Sequence, residues 1–355
     1  MGAARTGQVE AVKLAGQDKP KGIAEWVALR QELFISLFGL KQPRMPHAVT
    51  YERVLAGGVA PEALDHLVRT FLMETPRASQ AIHIALDGKT LRGVVALDQT
   101  RGLHLLAAYL PTEGVVLFQL AVDQKTNEIT VAPQVLKVLD LRGKIVTGDA
   151  RLTQRELSLQ IVKASGDYLW LAKGNQAHLR RDIAQLLEPE TCLPGTSPVI
   201  TDLQTAQTQE KNRGRIETRT LTVSSLLAES SDWPHLAQVF KLTRTFHAPA
   251  TGLVRTEVTY GLTSLTADQA SPIRLFEIVR RHWGIENGLH YRRDVTFQED
   301  RLRSKTPAFG QVMACLNNLV IGLAHRLGCP NLAQARRRWD AHPDLALRLI
   351  FSRLP

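Results

Sequence analysis

The chain has 355 residues, 44% hydrophobic and 22% charged, proportions that exclude wholesale disorder and leave room for roughly two domains. Its formal net charge of +10 favours a polyanionic partner, since each phosphate met by Lys or Arg releases counterions, though a merely basic soluble protein has the same balance. Cys192, Cys315 and Cys329 lie far apart without a C-x-x-C pair, which argues against a disulfide framework and a zinc module.

The first sixteen residues, MGAARTGQVEAVKLAG, lack the continuous apolar core of a signal peptide, and a cytoplasmic protein is expected. Residues 1–80 read as a small helical region. Ile23, Trp26, Val27, Leu33, Phe34, Leu37 and Phe38 recur at helical spacing until the Pro-rich KQPRMP stretch stops the helix. A second helix is predicted from Pro61, carrying Leu64, Leu67, Val68 and Leu72.

At residue 81 the pattern changes. IHIALD is a short apolar run ending in an acid before a turn-like Gly88, and LHLLAAYL and GVVLFQLAV follow as strands joined by PTEG. A helix is predicted near 129–139, then KIVTGD as a second buried strand ending in an acid. LTQRELSLQIVKASG reads as a helix with Thr153 and Glu156 as a capping box and Gly166 at its end, and YLWLAK as a fifth strand. Residues 175–188 look helical, and Thr-rich segments between about 195 and 262 read as strands. A helical stretch begins near Ile273. It is followed by a helix with Phe309, Val312, Met313, Leu316, Leu319, Val320 and Leu323 on one face. Gln311, Asn317, Asn318 and His325 in that helix would be costly in lipid, so no membrane is expected. The layout is α/β: a mixed sheet with flanking helices over about 81–330, a β-rich insertion before the last helices, and a basic helical tail at 331–355.

Asp87 and Asp149 each end an apolar strand. In IHIALD, Ile82, Ile84 and Leu86 share one face, leaving His83, Ala85 and Asp87 on the other. An acid held at the rim of a buried strand is a common active-site position in open sheets, and equally a common turn cap. A third acid is offered by RRHWGIENGLHYRR. At helical spacing Val279, His282, Glu286, His290 and Arg293 form one stripe, with Gly284 and Gly288 opposite, free to approach a sheet. Glu286 could alternatively salt-bridge those neighbours on a solvated helix. Three converging carboxylates repel by about 4 kcal/mol per pair near 4 Å at an effective dielectric of 20. A hard cation removes that cost, and two Mg²⁺ or Mn²⁺ ions about 3.5–4 Å apart are suited to phosphoryl transfer.

Two other chemistries fail on spacing. GKT at 88–90 ends like a phosphate-binding loop, but the first Gly of that motif is His83 here. His282, Glu286 and His290 spread over about 12 Å of helix rise, too far for one zinc ion. Basic residues surround the acids: Lys89, Arg92, Lys173, Arg213, Arg215, Arg281, Arg292 and Arg293. Singly each is a solvated face; together they form a track for nucleic-acid phosphates. Trp283 could stack on an unpaired base or sit in the core. Arg293 is placed to grip a phosphate, or to neutralise Asp294 or Glu286.

The segments IALDGKTLRG, KIVTGDARLTQREL with GDYLWLAKGNQ, and RRHWGIENGLHYRRDVTFQEDR resemble the three acid motifs of the DDE transposases of bacterial insertion sequences. The resemblance covers roughly residues 23–327 and lies within the broad group called IS-four, in the branch with an N-terminal transposase-associated domain. It places Asp87, Asp149 and Glu286 as catalytic metal ligands. It implies a ribonuclease-H-like fold, Mg²⁺ use, and cleavage and strand transfer at an element's terminal inverted repeats. The partners would be double-stranded DNA and a second copy of the chain, at the bacterial nucleoid when bound. Two departures stand out. The associated domain matches only from about KGIAEW, which leaves it partial. Val279, His282 and Arg293 fill the Tyr, Arg and Lys positions of the wider group's Tyr–Arg–Glu–Lys spacing. A non-catalytic DNA-binding derivative and a nuclease without strand transfer are the alternatives.

Overall fold

A computed structural model describes residues 2–39, 44–73, 82–97, 99–123, 127–188, 202–212 and 214–351. The chain opens with α1 (Gly2–Leu14), α2 (Pro20–Ala28), α3 (Gln31–Phe38), α4 (Ala48–Gly57) and α5 (Pro61–Met73). Then come β1 (His83–Leu91), β2 (Leu103–Leu110), β3 (Val115–Val122), α6 (Glu128–Lys137), β4 (Ile145–Gly148), α7 (Arg155–Lys163), β5 (Asp167–Ala172) and α8 (Ala177–Leu187). The β-rich segment is β6 (Gln204–Asn212), β7 (Arg215–Ser224), the short α9 (Leu227–Ser230), β8 (Gln238–Ala248) and β9 (Leu253–Thr263). Last are α10 (Pro272–His282), α11 (Pro307–Arg326), α12 (Leu332–Ala341) and α13 (Pro343–Phe351).

These elements form two compact units that do not follow sequential boundaries. One comprises Met1–Ala81, Gly88–Asn127 and Gly284–Pro355; the other comprises Ile82–Asp87 and Glu128–Trp283. Strand β1 gives its first half to the second unit and its second half to the first.

In the first unit α11 is the centre of the core. It packs against α1, α4, α5 and β3, and its side chains are buried around the whole circumference, Asn317 and Asn318 included. The single apolar face expected for this helix is therefore too narrow a reading. By length and hydropathy it resembles a membrane span, but most of it is interior to this unit. The one long helix expected over residues 23–38 is two helices. Arg30 leaves helical geometry to stack over Trp26, 4.1 Å from the ring centroid. Both side chains bind Asp340 of α12, Trp26 Nε1 donating at 2.6 Å. Ile23, Trp26, Val27 and Phe34 are buried, whereas Leu33 and Leu37 stay exposed. α3 stops at Gly39, whose φ of +57° suits a residue without Cβ.

In the second unit the strand order is β1-β4-β5-β9-β8-β7-β6, and in the first β3-β2-β1. β1, β4 and β5 are parallel, with α6 and α7 in the crossovers, while β2 and β3 form an antiparallel hairpin. Strands β6–β9 extend the sheet antiparallel from β5, Leu169 facing Thr263. The α/β layout expected from the sequence is present: a mixed sheet with flanking helices and a β-rich insertion before α10. Inside it, Phe240, Leu242, Leu169 and Leu171 pack against Leu275, Phe276 and Val279 of α10, a buried apolar layer that holds helix to sheet.

Two local readings need correction. Gly88 is no turn, for β1 runs through it to Leu91. Thr153 does not head a capping box. α7 is capped at Gln154 with no side-chain bond, and the Thr153 hydroxyl donates to the Leu171 carbonyl at 2.7 Å. A buried hydroxyl needs that partner more than the helix end does.

Candidate active site

The parallel ladder between β1 and β4 pairs His83 with Ile145 and continues to Leu86 with Gly148. Asp87 and Asp149 are thus the next residues on two neighbouring strands, at one level. The apolar runs beneath them, Ile84 to Leu86 and Ile145 to Val146, are buried and fix the pair rigidly. Gly148 makes room at this point: a Cβ there would come within 2.8 Å of the Trp170 ring.

Asp149 does cap a turn, as one reading of the sequence allowed. Its Oδ1 accepts the N–H groups of Arg151 at 2.9 Å and Leu152 at 3.4 Å, heading the 3₁₀ turn Ala150–Leu152. Both bonds fall on one oxygen, leaving Oδ2 uninvolved in the cap. Burial, then the charges of Glu128 and Asp87, raise the Asp149 pKa against the opposing pull of the Arg151 and Leu152 N–H groups. Glu128 was missed in the sequence. It is buried in the first turn of α6, and in sequence it resembles any acid at a helix N-terminus. Arg151 Nη1 lies 4.0 Å from it.

Beneath the aspartates runs a buried polar chain. His83 Nε2 is 2.8 Å from Thr147 Oγ1, which is 2.9 Å from His282 Nδ1. All three are buried. Burial lowers the His83 pKa to about 3 and that of His282 to about 4, the latter against the pull of Asp87, so both rings are neutral at ordinary pH.

Among the described residues no three His, Cys, Asp or Glu side chains stand close enough together to enclose a metal ion. The aspartate pair nonetheless has a donor set that fits Mg²⁺, an ion that keeps several waters and needs only one or two carboxylates besides substrate phosphate. Burial first, and the charges of Glu128 and Asp87 after it, raise the Asp149 pKa, and a cation at the pair opposes both effects.

Glu286 belongs to the other unit. It opens a π-helical segment, Glu286–His290, with a second at Arg292–Thr296. It is exposed and, among the described residues, has no ion-pair partner, so the salt-bridged reading is not realised. The stripe expected at α-helical spacing breaks here. His282, His290 and Arg293 are buried while Glu286 is exposed; regular α-helix ends at His282 and π turns begin at Glu286. Gly288 does approach the sheet: a Cβ would meet the Tyr109 hydroxyl of β2 at 2.5 Å. Gly284 has only an ordinary contact with Pro111.

The chain matches the family described as Transposase DDE domain over residues 78–323. It belongs to that family. It is 27% identical over 301 residues to "H repeat-associated putative transposase YhhI" of Escherichia coli (strain K12), covering 82% of this chain and 76% of that protein. It is 26% identical over 318 residues to "Putative transposase YncI" of Escherichia coli O157:H7, covering 87% and 78%. A solved structure of piggyBac transposase in a synaptic complex with hairpin DNA has a TM-score of 0.43 at 11% identity, covering 98% of this chain and 72% of that one. A likeness at that level carries no functional information.

The basic residues expected around a transposase site fall into two groups. Arg92, Lys173, Arg215 and Arg281 are exposed and Arg292 is half-buried; Arg92 also reaches Asp300 at 3.6 Å and Arg281 reaches Glu277 at 3.5 Å. Lys89 is buried and ion-paired with Asp294. Arg293 is fully buried, and its Nε donates to Glu299 at 2.7 Å. Asn317 of α11 donates to the same carboxylate at 2.6 Å. As placed, neither Lys89 nor Arg293 presents its charge to solvent, and the Arg293 partner is Glu299 rather than Asp294 or Glu286. Trp283 packs against the core of the second unit with Arg244 over its ring at 4.9 Å, the core alternative for that residue. Arg213 lies outside the described residues.

Proposed function

We propose that this chain is a metal-dependent DNA-cleaving and strand-joining transposase in which Asp87, Asp149 and Glu286 hold the metal. The observation that carries the reading is the β1–β4 register, which puts Asp87, within β1, and Asp149, just past the end of β4, at one level on neighbouring parallel strands. Family membership supports the reaction class, and Glu286, exposed and without an ion-pair partner among the described residues, is the third ligand the reading calls for. Mg²⁺ or Mn²⁺, when bound, supplies activation of a water or 3′-hydroxyl and charge stabilisation at a phosphodiester.

In this reading the residues divide the work by placement. Asp87 and Asp149 offer oxygens from a rigid strand pair, so little ordering is required on binding. Glu128 sharpens the electrostatic demand for a cation without needing to touch it. Arg92, Lys173, Arg215, Arg281 and Arg292 provide phosphate contacts, which position DNA without reading its sequence. Recognition of terminal inverted repeats and assembly as a dimer on DNA belong to the same proposal.

The test is nicking of DNA carrying the element's ends in Mg²⁺ or Mn²⁺. Asp87→Asn, Asp149→Asn and Glu286→Gln should each abolish nicking while leaving DNA binding intact. Full cleavage by any one of them removes that residue from the site. Nicking by the wild type without joining would make the chain a nuclease. Binding without nicking would make it a non-catalytic DNA-binding derivative.

A further inference from the structure

The His83–Thr147–His282 chain is not explained by packing alone. Thr147 lies two residues before Asp149 on β4, His83 four before Asp87 on β1, and His282 four before Glu286 at the end of α10. One row of side chains thus links β1 and β4, which lead to Asp87 and Asp149, with the end of α10. The hydrogens can be assigned from partner bookkeeping. His83 Nδ1 is buried and has no partner among the described residues. An unpaired buried N–H is costly, so the single ring proton belongs on Nε2, where it is donated to Thr147. The Thr147 proton then goes to His282 Nδ1 at 2.9 Å, in preference to the Ile84 carbonyl at 3.5 Å. This arrangement keeps the His282 N–H on Nε2.

We propose that Thr147 is a positioning residue: through His83 and His282 its hydroxyl locks β1, β4 and the end of α10 in one register, presenting Asp87 and Asp149 to the metal. The inference rests on the catalytic reading above. A buried chain of this kind suits positioning because each bond has a direction as well as a length, which apolar packing does not impose. A small misplacement of the ligands, caused by a change away from the chemistry, can cost about 100-fold in rate.

The test compares Thr147→Val, which keeps shape and loses the hydroxyl, with Thr147→Ser, which keeps the hydroxyl and loses a methyl. Mn²⁺ binding is read by calorimetry, and DNA binding and Mg²⁺-dependent nicking are read separately. We expect Thr147→Val to lose roughly tenfold or more in Mn²⁺ affinity and in nicking, with DNA binding unchanged. Thr147→Ser should stay near wild type. A purely packing role predicts the opposite ranking, so Val equal to or better than Ser overturns the proposal. Should Thr147→Val fail to fold, His83→Gln, which can still donate to Thr147, is compared with His83→Leu, and equal values for these two overturn it. Wild-type nicking with an undisturbed Val variant defeats only the positioning role. A wild type that neither binds Mn²⁺ nor nicks defeats the catalytic reading itself.

Discussion

Replacing Arg293 by Met tests what this arginine does. Its guanidinium is completely buried against Glu299, itself 2% exposed, with Asn317 as the remaining donor to that carboxylate. Removing one partner of a buried ion pair costs about 3–5 kcal/mol, because the other charge stays buried and unpaired. Two effects pull the value down. Asn317 still supports Glu299, and the substitution removes two buried Arg293 nitrogens, Nη1 and Nη2, that lack partners among the described residues. A loss of about 3 kcal/mol is therefore expected, a shift of about 1 M in urea midpoint at a slope near 3 kcal/mol/M. The double variant Arg293→Met/Glu299→Leu should recover most of that loss, since an apolar pair can replace a buried ion pair at little cost. DNA affinity measured against salt should keep its slope in Arg293→Met. A destabilisation below about 1 kcal/mol, with a salt slope lower by about 1, would refute the buried-pair account and make Arg293 a phosphate contact.

Three further outcomes follow from the same geometry. Burial raises the Asp65 pKa to about 7, so its contribution to stability is present below about pH 4 and is lost as pH rises towards 7. Asp65→Asn should therefore raise the urea midpoint at pH 8 and leave it nearly unchanged at pH 4; equal effects at both would contradict the burial argument. Asp149 has a raised pKa from burial, Glu128 and Asp87, so Asp149→Asn should stabilise the metal-free chain more at pH 8 than at pH 4. Thermal unfolding with added Mg²⁺ should then show stabilisation of the wild type and little of the variant. Gly288→Ala places a methyl 2.5 Å from the Tyr109 hydroxyl, an overpacking worth about 1–3 kcal/mol. Tyr109→Phe in the same chain should restore part of the lost melting temperature, and no restoration would mean the clash is elsewhere.

Much of the architecture was legible in the sequence because it is written in local patterns. Apolar runs ending in Asp87 and Asp149 are short and bounded, so they read as buried strands whatever surrounds them. Two such strands flanking a helix imply a right-handed parallel crossover, which is how the acids come to lie side by side. The Thr-rich stretch declared its strands in the same way. The motif around Glu286 announced itself through its acid amid His and Arg.

What tertiary structure alone decided was burial and partnership. A Lys or Arg near an acid motif looks like a phosphate contact until its surroundings are known. Lys89 finds Asp294 across 205 positions, and Arg293 lies fully buried against a carboxylate that is itself held by α11. Regular α-helix ends at His282 and gives way to π turns from Glu286, a hydrogen-bond slippage by one residue that leaves no mark in composition. Glu128 became relevant only when folding placed it beside Asp149. The Thr147–His282 contact joins residues 135 apart. Local pattern determines which segments are strands and helices, since periodicity is a property of neighbours in the chain. Which side chains lose water, and which partner compensates them, is a property of neighbours in space.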